Sequence, residues 1–182
     1  MEAAKILVVD DDSIMLGVVD AMLNRHRYRY KVLPVCDPRE ALQIVRHGEL
    51  VDVVVSDFYM PELNGGELIR EIARISPSTM GIVITAGMIK AAHVPPCVPV
   101  LKKPFGAAAL LATVEMMVMR SAQFRARLHE EVERATKLRG QSRQLCKALG
   151  ALREQWLNNM EAMGVHDRGE AKRAASATRE TR

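Results

Sequence analysis

The chain has 182 residues, enough for one domain of ordinary size plus a remainder too short for a second. At 48% hydrophobic and 26% charged it can build a normal core, which excludes wholesale disorder. At 4% aromatic it is too poor in rings for a β-sandwich, a stacking platform for single-stranded nucleic acid or an aromatic-lined groove. The net charge of +4 is uneven, because residues 1–105 carry 12 Lys and Arg against 13 Asp and Glu, and residues 106–182 carry 14 against 9.

Three widely spaced cysteines, Cys36, Cys97 and Cys146, form no CxxC or Cys/His cluster. Neither a disulfide framework nor a zinc site is expected, and a reducing, cytoplasmic setting fits. No signal peptide is expected, since Met1–Lys5 runs directly into a strand pattern. The most apolar stretch, Phe105–Met119, is interrupted by Glu115 and is short of the roughly 20 residues that span a bilayer, so no membrane association is expected.

In chain order, Lys5–Asp10 reads as a buried strand, and Met15, Val18, Val19, Met22 and Leu23 make the apolar stripe of a following helix. Lys31–Cys36 reads as a second strand at a sheet edge, because Pro34 cannot donate to a ladder. Asp37-Pro38-Arg39-Glu40 opens a helix with a cap, a proline at the first helical position and a Glu three residues after the cap. Ala41, Leu42, Ile44 and Val45 are its apolar residues. Val51–Ser56 is a third strand. A loop with Pro61, Gly65 and Gly66 leads to a helix bearing Leu68, Ile69, Ile72 and Ile75, closed by Pro77.

Gly81–Thr85 and Val98–Leu101 read as the fourth and fifth strands. Between them, Pro95 and Pro96 leave room for two helical turns at most, so a short irregular helix is expected there. Five alternations with strands apolar on both faces predict an α/β fold, a parallel sheet covered by helices on each side.

No strand pattern follows Leu110. In a heptad frame with Val114 at position a, eleven of the fifteen a and d positions to Met163 are apolar, which predicts a coiled coil or a helical hairpin. Gly140 is a place where such a chain could turn back. Residues 164–182 have no periodic apolar face and read as a disordered basic tail.

The polar residues at the carboxyl ends of the predicted strands are Asp10, Asp11, Asp12, Asp57, Thr85 and Lys103. An open parallel sheet binds ligands at that edge, and nothing comparable is expected at the opposite one. Converging carboxylates cannot all stay ionised without a cation, and all-oxygen ligands select Mg²⁺ or Mn²⁺ over zinc. Thr85 and Lys103 supply donors for phosphoryl oxygens, which makes the cluster a divalent-metal and phosphoryl site. Asp12 or Ser13 is the expected cap of the first helix.

These segments resemble a known family. Lys5-Ile-Leu-Val-Val-Asp-Asp-Asp-Ser13, Val54-Val-Ser-Asp57-Phe-Tyr-Met-Pro61 with Asn64-Gly65, Ile82-Val-Ile-Thr85-Ala86 and Leu101-Lys-Lys103-Pro104-Phe105 are similar to the receiver domain of two-component response regulators, over residues 4–119. The resemblance implies a flavodoxin-like doubly wound sheet of order 2-1-3-4-5, with the receiver over 1–119 and a helical segment over 120–163. It implies that Asp57 is the phosphoacceptor, taking its phosphoryl group from a histidine kinase or a phosphotransfer protein. It implies that Asp11, Asp57 and the backbone carbonyl of Tyr59 ligate Mg²⁺, with Asp10 acting through water. It further implies that Lys103 bridges to the phosphoryl group, that Thr85 moves toward it, and that Pro104 follows a cis bond. Such a receiver catalyses only its own phosphorylation and dephosphorylation.

The chain departs from the pattern where the family places an aromatic switch residue, here Val100, and in the proline-broken fourth helix, so signalling through the fifth helix into the coil is expected. Tyr59, two residues after Asp57, is expected to shield the acyl phosphate from water. A phosphatase of the haloacid dehalogenase type would use Asp10-x-Asp12, but it needs an acidic pair soon after the lysine, and the next acid after Lys103 is Glu115. His129 faintly resembles a phosphotransfer histidine. The basic C-terminal third lacks any nucleic-acid-binding signature, so a solvated, self-associating coil that signals to a protein partner is expected there.

Overall fold

The computed structural model describes residues 3–24 and 29–162. Contacts divide the chain into two units, Met1–His129 and Glu130–Arg182. In the first unit, strands β1 (Ala4–Val9), β2 (Tyr30–Val35), β3 (Val53–Asp57), β4 (Met80–Thr85) and β5 (Val100–Lys102) form one sheet. Every pairing is parallel and the order is β2-β1-β3-β4-β5, the expected doubly wound arrangement. Helices α1 (Ser13–Asn24), α2 (Pro38–Arg46), α3 (Gly65–Ile75) and α4 (Ala107–Ala162) complete it, with a single 3₁₀ turn at Ala91–His93 in the fourth crossover.

The two-residue period of the strands sorts the core into two layers. Ile6, Val8, Val53, Val55, Ile82 and Ile84 face α1 and the start of α4, meeting Leu16, Val19, Leu23, Leu110, Val114 and Met117. Leu7, Val9, Val54 and Val83 face α2 and α3, meeting Ala41, Val45, Leu68, Ile69 and Ile72. Ile6, Leu7, Val55, Ile82 and Leu110 are fully buried, and each such side chain is worth about 1.5–3 kcal/mol of transfer free energy. β2 and β5 are the two sheet edges. Pro34, whose ring removes a ladder donor, therefore sits where a missing N–H costs nothing.

Two expectations need correction, and one alternative is decided. In α1, Val19 and Leu23 of the expected stripe are buried and Met22 packs against the same core, but Leu16 joins them in place of Val18, which is exposed. This helix is apolar on several sides, with even Ile14 exposed, so periodicity could not fix its phase. β5 begins at Val100 rather than Val98, because Cys97 adopts positive φ and Pro99 has no amide to pair. Finally, of the coiled coil or hairpin expected after Leu110, α4 takes the first form, running without a break through Gly140 among the described residues. In the heptad frame Gly140 and Gly150 fall at f and b, away from the seam, and each costs the helix only about 1 kcal/mol. The expected basic tail lies outside the described residues.

Candidate functional site

Three side chains converge at the carboxyl edge of the sheet because β1, β3 and β5 all end there. Asp10 follows β1 directly, is 5% exposed, and accepts the Asp12 amide at 3.0 Å on Oδ1. Asp57 is the last residue of β3 and is 7% exposed. Lys103 follows β5 and is held in place by its own amide, which donates to the Thr85 carbonyl at 2.8 Å. Its Nζ donates to Asp57 Oδ1 at 2.6 Å and to Asp10 Oδ2 at 3.2 Å. The Lys103–Pro104 peptide bond is cis.

One ammonium thus faces two buried carboxylates, and the electrostatics follow. Burial pushes the Asp10 carboxyl up from its ordinary value, and the Asp12 amide and the Lys103 charge offset this only in part. Burial draws Lys103 down, but its bonds to and attraction by Asp57 and Asp10 together outweigh that and hold it above the ordinary lysine value.

The remaining predicted residues lie around this triad. Thr85 is fully buried at the end of β4, and its Oγ1 accepts the Gly87 amide at 3.1 Å. Asp11 is exposed. Asp12 caps α1, its Oδ1 accepting the Ile14 amide at 2.9 Å. The Tyr59 amide donates to Asp57 Oδ2 at 2.6 Å, so the acceptor loop itself holds the second carboxylate oxygen. Among the described residues no three acidic, histidine or cysteine side chains converge tightly enough to cage a metal unaided. Two buried carboxylates against one ammonium leave a negative excess, and every donor present is an oxygen, as a hard cation requires.

Some features of the site had no signal in the pattern of strand ends. The Tyr59 ring packs against Gly87 and its hydroxyl donates to the Met88 carbonyl at 2.9 Å, tying the acceptor loop to the loop after β4. Gly65 opens α3 so close to β3 that a Cβ there would lie 2.1 Å from the Asp57 carbonyl oxygen. The Gly65-Gly66 pair marked a turn in the sequence, but this approach shows only in space. Gly65→Ala must push the acceptor loop off the helix. We expect it to lower stability by ~2 kcal/mol, by the cost of overpacking, measured as a fall in the urea midpoint.

The opposite edge of the sheet is not bare, contrary to expectation. Asp52 is buried there, accepts the Lys5 amide at 2.8 Å and pairs with Arg125 of α4. Sequence distance hid this pair, since 73 residues separate its members. Beside β4 and β5 lies a cavity of about 490 Å³ bordered by Thr85, Met88, Val94, Val98, Val100 and Lys102.

The description "Response regulator receiver domain" matches residues 6–115, more than half of the chain. A two-component response regulator, ORR7, of Oryza sativa subsp. japonica is 34% identical over 71 residues, covering 39% of this chain and 33% of its own length. The sensor kinase CckA of Brucella abortus is 35% identical over 121 residues, covering 64% of this chain and 12% of its own. The chain spans between about a tenth and just over half of the length of the curated relatives it matches. The crystal structure of a response regulator receiver protein from Sinorhizobium medicae superposes with a TM-score of 0.61 at 25% identity, covering 66% of this chain and 98% of that one. With the sheet order, the strand-end triad and these likenesses in agreement, the chain belongs to the response regulator receiver domain family.

Proposed function

We propose that this chain is a phosphorylation-controlled switch in a two-component relay, with Asp57 as phosphoacceptor. The observation that carries this reading is the placement of Lys103 Nζ 2.6 Å from Asp57 Oδ1 at the carboxyl edge of a parallel sheet. A carboxylate oxygen of Asp57 attacks the phosphorus of a phosphohistidine on a sensor kinase or phosphotransfer protein. The P–N bond breaks as the P–O bond forms, and the histidine leaves. The attacking carboxylate repels the phosphoryl oxygens, and Lys103 lowers that barrier by holding positive charge where they arrive. Asp10, Asp11, Asp57 and the carbonyl of Tyr59 would hold Mg²⁺, which supplies the remaining neutralisation when bound. The acidic edge is then the receiver's own catalytic device, and the chain is not otherwise an enzyme.

Thr85 is the residue that carries the change onward. To reach a phosphoryl oxygen its hydroxyl must leave Gly87, whose loop is also packed against Tyr59. With Val100 exposed on β5 in place of an aromatic ring, the change passes into α4 and from there to a protein partner.

Three measurements test this. With a small-molecule phosphoryl donor such as acetyl phosphate, the chain should gain one acyl phosphate in Mg²⁺ and none in excess EDTA, read by intact mass; equal labelling in both would sink the metal requirement. Light scattering with and without donor then reports whether phosphorylation alters assembly. Tyr59→Asn removes the ring over the acceptor loop and should shorten the acyl phosphate half-life several-fold. A half-life equal to that of the wild type would refute shielding by Tyr59.

A further inference from the structure

The second unit carries an apolar seam whose borders say what can cover it. In the heptad frame from Val114, Leu138, Leu145, Leu149, Leu152 and Trp156 fall at a or d. Each is more than half exposed, and every residue from Glu130 to Asn159 is exposed. From Arg134 to Trp156 the seam runs about 35 Å at the helical rise of 1.5 Å per residue. Five large apolar side chains in one line on a helix mark an interface rather than a solvated face.

The flanking positions carry charge of one sign. Positions e and g between Arg134 and Trp156 hold Arg134, which pairs with Glu131 of its own helix at an exposed 2.9 Å contact, and Arg139 and Arg153, with Gln141, Cys146, Ala148 and Gln155 uncharged, and no acid among them. Glu133 and Glu154 fall at f, on the far side of the helix. In a parallel pair, g of one helix meets e of the next heptad on the other. A second copy in register would set Arg134 against Arg139 and Glu131, at d, against its own counterpart. An antiparallel copy pairs e with e and g with g, which again offers arginine only arginine or an uncharged residue. Neither arrangement forms one opposite-charge pair across the seam. A nucleic acid would satisfy the arginines but leave Trp156 and four leucines in water.

We propose that this segment docks an amphipathic α-helix of another protein, apolar at its seam and acidic along both flanks. Arg134, Arg139 and Arg153 select that partner and exclude a second copy of this chain. The proposal names the chemistry of the output partner and rests on reading α4 as the output segment.

The test uses the whole chain and two synthetic four-heptad peptides, both with Ile and Leu at a and d, one with Glu at every e and g and the other with Lys. Trp156 is the only tryptophan and sits in the seam, so its emission reports coverage directly. The chain should sediment as a monomer. The Glu peptide should shift Trp156 emission to the blue and raise the mass by one peptide, with affinity falling as salt rises. The Lys peptide should bind about tenfold more weakly or worse, from three flank contacts of ordinary strength. An Arg134→Glu, Arg139→Glu, Arg153→Glu variant should reverse that preference; its changes lie on exposed positions, and unchanged helicity by circular dichroism confirms its fold. Binding should persist in Asp57→Ala, so a failure of phosphorylation is distinguishable from a failure of this surface. A stable homodimer with Trp156 already buried, equal binding of the two peptides, or displacement of the Glu peptide by duplex DNA would each overturn the proposal.

Discussion

Asp57→Ala is expected to abolish incorporation of base-labile phosphate from acetyl phosphate, down to the background of the donor alone. The reason is positional. Asp57 has one carboxylate oxygen on Lys103 and the other on the Tyr59 amide, so it is already oriented by the groups that would steady the phosphoryl group. Asp10 is also buried and also bonded to Lys103, but at the longer 3.2 Å, and its other oxygen is engaged by the Asp12 amide. It cannot substitute without giving up the turn that starts α1. The variant should stay folded, because Lys103 keeps Asp10 as a counterion. The same sample separates the competing chemistries. Phosphate that is labile to acid and stable to base, retained in Asp57→Ala, would point to His129 instead. Hydrolysis of a phosphate monoester by Asp57→Ala at the wild-type rate would favour the haloacid dehalogenase mechanism, in which Asp10 rather than Asp57 does the work.

The convergence of these residues was legible in the sequence because the cue is topological. A parallel sheet sends every strand's carboxyl end to one edge, so Asp10, Asp57, Thr85 and Lys103 could be brought together without any knowledge of side-chain contacts. The strand runs were equally legible, being apolar on both faces and bounded by turn residues. What escaped were features set by phase or by contacts distant in sequence. The face of α1 was read only in part, with Val19 and Leu23 in the core but Leu16 missed, because the helix is apolar on several sides. The start of β5 shifted because a positive φ at Cys97 carries no letter of its own. The bond from Tyr59 to Met88 and the pairing of Asp52 with Arg125 join residues far apart in the chain, and no periodicity encodes such pairs. The heptads announced a long helix, but the glycine that suggested a turn sits on its outer side, where a helix tolerates it.

Lys103→Met should cost about 2 kcal/mol of stability at neutral pH, the penalty for leaving buried carboxylates without a cation, reduced because the lysine is partly open to water. It should also suppress phosphorylation of Asp57 even where the variant is fully folded, since no other cationic side chain bonds that carboxylate among the described residues. The pH dependence tells which carboxylate bears the cost. Asp10 sits above its ordinary value of 3.8, so the folded state binds its proton more tightly than the unfolded chain does. Whatever stability its neutral form lends is present below pH 3.8 and is lost as pH rises through the folded value. Asp10→Asn should therefore raise the urea midpoint at pH 7, and that gain should shrink as pH falls through the folded value and vanish well below pH 3.8, where Asp10 is neutral in both states. Lys103 sits above its ordinary value of 10.5, so its contribution is whole below that pH and is lost only as pH climbs through the higher folded value. In the double variant the loss from Lys103→Met should shrink, because one of the two charges the lysine served is gone. If the two changes simply added, and Asp10→Asn lowered stability at pH 7, Asp10 would have to be a relaxed, solvated carboxylate, and the charge excess that invites a divalent cation to this edge would be absent.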